Sequence, residues 1–156
     1  MLGGGRALLM QVGNPVVASA VRNHSAYATE PWRRLARTMT ALYTIVLGTP
    51  ADAERAGAVT RAVHAHVPGA DNSSAQLWVH ATLVDTGLTM YETFVGRLAE
   101  RDREAFYDEM KVVAQVFGVP TEVLPPTYRA FVDYRREAIA GLRVGVPTEF
   151  NEAEGI

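Results

Sequence analysis

The segment "LWVHATLVDTGLTMYETFVGRL" constrains the fold more than any other part of the chain, because it is long, mostly apolar and carries one histidine. Its apolar residues recur at steps of three and four, the spacing of one helix face. The polar turn "DNSSAQ" comes before it and supplies a helix cap. We therefore predict a long central helix from about Ser74 to Leu98, with His80 mostly buried on the face that carries Val84 and Tyr91.

Helix boundaries recur along the rest of the chain, and no segment shows sustained alternation of apolar and polar residues. Proline or an N-capping residue opens several stretches of helical spacing, and glycine closes most of them. These stretches are residues 14–25, 31–48, 49–69, 101–117 and 127–141. The pattern predicts an all-α fold, a single-domain bundle of about seven helices over residues 1–141. The glycine-rich "LGGGRALL" predicts a flexible lead into the first helix, and residues 142–156 an irregular tail.

The size and composition of the chain exclude several classes of function. The 156 residues suffice for one domain with a core, and a net charge of -2 creates no field that attracts nucleic acid or anionic lipid. The absence of cysteine excludes disulfides, zinc-thiolate sites, cysteine-held iron-sulfur clusters and thiol nucleophiles. No apolar run is long enough for a signal sequence or a membrane span. We therefore expect a soluble, cytoplasmic protein without a nucleic-acid partner.

His80 is the histidine that raises a functional question. One interpretation is a core histidine hydrogen-bonded to a backbone carbonyl or to the hydroxyl of Tyr43 or Thr44. The other is an axial ligand of a heme iron, because a neutral imidazole on an apolar helix face is what a porphyrin pocket needs. His64 and His66 lie at a helix end, where a cation is favoured, and their rings diverge on a helix, which disfavours joint metal binding. The residue pattern leaves both interpretations of His80 open.

An arginine cluster in "WRRLARTMT" is the second candidate. Arg33, Arg34 and Arg37 lie close together on one predicted helix, and Arg34 shares a face with Thr38, four residues away. Such a cluster is ordinarily a solvated surface. The alternative is that an arginine binds an anion such as a heme propionate or a substrate carboxylate through its planar donor fork. The Thr38 hydroxyl would then lie near the bound group.

Five segments in the same order resemble the MpaB and rubber-oxygenase catalytic-domain family over about Gly3 to Tyr134. They are "GGGRALLMQVGNPVVASAVRNHSAY", "RRLARTMTALYTIVLGTPADAERA", "VHAHVPG", "LWVHATLVDTGLTMYETFVGRL" and "VFGVPTEVLPPTYRAFVDY". The resemblance implies an all-α fold and oxidative chemistry on a prenyl chain. In the rubber-oxygenase branch it implies a b-type heme that uses dioxygen to cleave carbon-carbon double bonds of polyisoprene. It assigns the heme-ligating histidine to His80 and an RxxxT motif to Arg34 and Thr38.

The chain departs from this family at two places. Asn14 stands where relatives carry a histidine before proline, so an amide replaces a titratable ring. Family members also continue beyond the point where this chain turns into "VGVPTEFNEAEGI", so we expect this chain to lack the helices that complete the domain. We expect the apolar surface uncovered in this way to be buried against a second copy, giving a homo-oligomer and most simply a dimer.

Two functional hypotheses follow. The first is a heme-dependent oxygenase-like protein that binds heme b and dioxygen and acts on an apolar substrate of the isoprenoid or lipid type. In it His80 ligates the iron, Arg34 and Thr38 line the catalytic pocket, and Arg34 and Arg37 bind the cofactor. The second is a non-catalytic helical protein that binds a small apolar ligand or associates with itself.

Overall fold

A computed structural model describes residues 3–25 and 29–140 of the chain. Over these residues it contains seven α-helices, one short 3-10 helix at Thr121–Val123 and no strand. The α-helices are α1 (Gly4–Val12), α2 (Pro15–His24), α3 (Pro31–Leu47), α4 (Pro50–His64), α5 (Ser73–Phe94), α6 (Glu100–Val116) and α7 (Tyr128–Ala140). The predicted all-α fold is confirmed. The predicted tail, 142–156, and the predicted helix end at Gly141 lie outside the described residues.

Side-chain caps set the helix starts at the predicted places. The Asn14 side chain accepts hydrogen bonds from the backbone N–H groups of Val16 and Val17, and proline follows it at the first position of α2. Thr49 and Asp52 cap the start of α4 reciprocally, each side chain bonding the backbone N–H of the other. These local bonds explain why the sequence pattern located the helix starts well.

Two boundaries differ from the sequence prediction. Helix α1 already begins at Gly4, so Gly4 and Gly5 are helical and do not form a flexible lead. Contacts between α1 and α5 favour helix there over the conformational freedom of glycine. Helix α5 ends at Phe94, four residues before the predicted Leu98, because Gly96 adopts a φ of 152°, which no helix residue has.

Helix α5 is the centre of the fold. It packs against α1 on one side and against α6, α7 and the 3-10 helix on the other. Its apolar side chains meet Tyr107 of α6 and Phe131 of α7, whose rings lie 5.0 Å apart. Helices α3 and α4 pack mainly against each other and reach the rest of the bundle through α6. No described helix combines the length and the apolar character needed to cross a membrane.

A buried carboxylate joins three of these helices. Asp85 of α5 is only 2% exposed, and its Oδ2 accepts a hydrogen bond of 2.6 Å from Arg6 of α1. Its Oδ1 accepts a hydrogen bond from Arg135 of α7. Arg6 also donates to the hydroxyl of Thr86 at 2.9 Å. Because a buried charge is costly unless it is paired and hydrogen-bonded, these contacts fix α1 and α7 on α5.

We expect Asp85→Asn to lower the free energy of unfolding by about 3 kcal/mol, because the amide leaves two guanidinium groups without their anion. Urea denaturation followed by circular dichroism measures the change. The matched control is Asp133→Asn, which breaks an exposed ion pair with Arg136 on α7 and should cost no more than about 0.5 kcal/mol. Equal losses in the two variants would contradict a stabilising role for the buried cluster.

Candidate functional site

His80 lies in the first half of α5 and is 4% exposed, so the predicted burial is confirmed. Five residues separate it from Asp85, which turns the two side chains about 140° apart around the helix axis. Val84 differs from His80 by only about 40° on the same scale and belongs to the core beside α6 and α7. His80 therefore points away from α1 and toward the apolar side of the bundle.

The opposite side of α5 carries a polar network with α1. The indole of Trp78 donates to the carbonyl of Met10 at 3.0 Å, and Gln11 donates to the hydroxyl of Thr82 at 3.1 Å. Together with the Asp85 cluster, these bonds satisfy the buried polar groups that face α1. None of them involves His80. The histidine thus takes no part in the polar network with α1.

The Nε2 atom of His80 is buried and has no hydrogen-bond partner among the described residues. The hydroxyls of Tyr43 and Thr44, which were candidate partners, do not bond it. Burial lowers the pKa of His80 to about 4, and no neighbouring charge opposes this effect. The imidazole is therefore neutral at pH 7.

This combination suits a ligand better than an acid or a base. A histidine that exchanges protons in catalysis usually has a carboxylate or hydroxyl within hydrogen-bond reach, and Nε2 has neither. An unpaired buried nitrogen costs about 1–3 kcal/mol, which a bound group would recover. Metals bind the neutral imidazole, and a heme needs only one axial nitrogen because the porphyrin supplies four. The Nε2 atom of His80 thus has the chemistry of a metal ligand, and neither of the two cavities described below includes His80.

A metal held by protein side chains alone has less support. The described residues contain no group of three or more histidine, aspartate or glutamate side chains placed to hold an ion. His64 and His66 are both exposed near the end of α4, and capping of the helix by either ring stays a prediction.

The structure brings Arg34 and Thr38 together on α3. The Thr38 hydroxyl donates to the carbonyl oxygen of Arg34 at 3.0 Å, as their four-residue spacing predicts. Thr38 is exposed and Arg34 is half-buried. Arg37 lines a groove shared with α4, which Arg34 and Thr38 do not line. Within the described part of the chain, no hydrogen bond joins any of these three residues to the Nε2 atom of His80.

Asn14 borders a cavity of about 380 Å³ where α2 and α5 begin and α7 passes. Trp78, Tyr134 and Glu137 line it as well. Because the Asn14 side-chain oxygen caps α2, the amide has a structural role at the position where the resemblance leads us to expect histidine. His80 does not line this cavity.

The cluster of Arg6, Asp85 and Arg135 was not predicted from the sequence. A carboxylate inside an apolar helical segment was a usable signal, because such a group must be paired when it is buried. Its partners lie 79 and 50 residues away, and no local spacing identifies them.

We expect His80 to make stability depend on pH between about 6.5 and 4. The folded pKa of about 4 lies below the unfolded value of 6.5, so the unfolded chain binds a proton that the folded chain does not. Stability is therefore complete above pH 6.5 and decreases as the pH falls toward 4, by about 3 kcal/mol in total. Urea denaturation at several pH values measures the slope.

The variant His80→Leu should lose that pH dependence, whereas His24→Gln, which changes an exposed histidine, should retain it. A slope that is identical in His80→Leu and the unaltered chain would show that other groups cause it.

Comparison with known proteins identifies the family to which the chain is similar. Residues 1–150 match the family model described as the catalytic domain of ER-bound oxygenase mpaB/B' and rubber oxygenase. Two similar proteins are an uncharacterized protein of Mycobacterium bovis and one of Mycobacterium tuberculosis. Each is 27% identical over 145 residues, which cover 87% of this chain and 56% of the relative.

The chain thus spans little more than half the length of these relatives. No solved structure matches it. The family match, which covers nearly the whole chain, agrees with the order of the five sequence segments and with the all-helical fold. The chain belongs to the family of the ER-bound oxygenase mpaB/B' and rubber oxygenase catalytic domains.

Proposed function

We propose that the protein is a heme-dependent oxygenase-like protein that acts on an apolar substrate of the isoprenoid or lipid type. The observation that carries this proposal is the Nε2 atom of His80, which is buried and has no hydrogen-bond partner in the described residues. Membership in an oxygenase family supports the reaction type. Heme b is proposed because the site offers a single neutral imidazole.

In this proposal His80 would hold the heme iron through its imidazole, and its low pKa keeps the ring neutral at pH 7. A bound heme would supply the iron that activates dioxygen, which the protein side chains cannot do. Arg34 and Thr38 line the pocket, as the family resemblance implies. Arg34 and Arg37 serve as cationic partners for the propionates. The apolar surroundings of His80 suit an apolar substrate and exclude water.

The packing around His80 must open before the proposed cofactor can bind. Its Nε2 atom has almost no solvent contact in the described structure, so neighbouring side chains must move before a porphyrin reaches it. We propose that α3 and α4 move, because they pack mainly against each other and each contributes one buried residue, Ile45 and Gly57 respectively. Binding of hemin should therefore be slower than diffusion, with the packing change preceding ligation.

We expect the purified protein, reconstituted with hemin, to show a Soret band of a histidine-ligated heme in its absorption spectrum. His80→Gly should lose this spectrum, because it removes the axial nitrogen, and added imidazole should restore it by filling the space left by the ring. His66→Ala, which changes an exposed histidine, is the matched control and should bind hemin as the unaltered chain does.

Rescue by imidazole separates loss of ligation from loss of folding. Either of two results would overturn the proposal: an unaltered chain that binds no hemin, or an unchanged Soret band in His80→Gly without imidazole.

Self-association belongs to the same proposal. Large apolar side chains are exposed on several helices, including Leu9 and Leu47 at 75% and Phe94 at 63%. We propose that a two-fold pair buries part of this apolar surface, because the same patch on each copy then covers the other. The cytoplasmic location expected from the sequence stays a prediction.

We expect light scattering at micromolar concentration to give twice the chain mass of 17.0 kDa. Leu47→Glu and Leu9→Glu place a charge on different exposed faces, and the one that lies in the interface should return the mass to that of a monomer. A mass of 17.0 kDa for the unaltered chain would contradict self-association.

A further inference from the structure

A groove of about 550 Å³ runs between α3 and α4, and Arg37 is the one residue that it shares with the proposed heme site. This volume is in the range of small-molecule sites. Four small or branched apolar residues line the groove: Ala36, Ala41, Ala56 and Val59. Val59 is 65% exposed, so the apolar surface is open to a ligand. Hydroxyl groups of Thr40, Thr44 and Thr60 complete the walls.

Three arginines border this groove, and only two of them form ion pairs within the described residues. Arg33 pairs with Glu30 at 3.1 Å, and Arg55 pairs with Asp52 at 2.5 Å. Arg37 forms no ion pair and no side-chain hydrogen bond within residues 3–25 and 29–140. The groove therefore combines an apolar surface with one guanidinium that has no anion.

We propose that this groove binds a single-chain amphipathic carboxylate, with its carboxylate on Arg37 and its hydrocarbon chain along the alanines and Val59. A guanidinium presents two parallel N–H donors that match the two oxygens of a carboxylate. A neutral lipid leaves Arg37 unpaired, and a polyanion meets the carboxylate of Asp52 in the same groove. One anionic head on an apolar body satisfies both features of the groove.

A second copy of the chain is a poorer occupant of this groove. Two-fold pairing through the groove brings the same surface of both copies together, so that Arg37 of one copy lies near the arginines of the other. Like charges at close range oppose that pairing. The proposal uses neither His80 nor an iron, and because Arg37 is also the proposed propionate partner, binding to the groove is tested without hemin.

The test measures displacement of cis-parinaric acid, a fluorescent fatty acid, from the full chain in the absence of hemin. Laurate should displace the probe at least about tenfold more effectively than dodecanol, which has the same chain length and no charge, because an ionic hydrogen bond is worth that much. Arg37→Gln should weaken laurate by a similar factor and leave dodecanol unchanged. Arg129→Gln, an exposed position on α7, is the matched control and should change neither.

A second pair of variants tests the apolar part of the site. Val59→Asp places a negative charge in the groove and should abolish probe binding, whereas Val112→Asp, 59% exposed on α6, should not. Both positions are open to solvent, and circular dichroism checks that the variants fold. Equal displacement by laurate and dodecanol, or an Arg37→Gln chain that binds like the unaltered one, would overturn the proposal. The proposal would also be overturned if a second copy covered the groove, so that the unaltered chain bound no probe. In that case the unaltered chain would have twice the monomer mass and Val59→Asp would be a monomer.

Discussion

The carboxylate of Asp85, held between Arg6 and Arg135, is the interaction on which the arrangement of the helices depends. It is almost completely buried, whereas the two arginine side chains are 37% and 36% exposed. Each arginine thus places its guanidinium on the buried carboxylate while part of its side chain stays in contact with water. Because they come from α1 and α7, a correct pairing requires both ends of the described chain to pack on α5.

Fixing α5 in this way also fixes the direction of His80. Rotating the helix enough to expose the imidazole would withdraw Asp85 from its two cations, which a buried charge does not tolerate. The polar network with α1 and the apolar contacts with Tyr107 and Phe131 therefore act together. One side of α5 satisfies its polar groups, and the other side provides the apolar environment that lowers the pKa of His80.

The sequence predicted the features that local chemistry determines. Asn14 with Pro15, and Thr49 with Pro50, mark helix starts because their bonds reach only two or three residues along the chain. The long apolar segment likewise predicted a central helix with His80 buried. The predicted end of α5 at Leu98 was wrong. A glycine within a helical pattern is compatible with a longer helix, and the φ of Gly96 that ends α5 is set by the tertiary fold. The partners of Asp85 were not predictable, because long-range pairing leaves no periodic signal.

The packing that buries His80 also restricts access of a ligand to the proposed site. His80 is neutral because it is buried, and burial also closes the path to its Nε2 atom. Under the proposed function the pair of helices α3 and α4 would move, and displacing it leaves the Asp85 cluster and the core of α5, α6 and α7 intact. Gly57 and Arg61 of α4 hold the pair at the carbonyl of Val116, and few other buried contacts must break. Arg34 and Thr38 lie on α3, so their distance from His80 changes with the position of this pair.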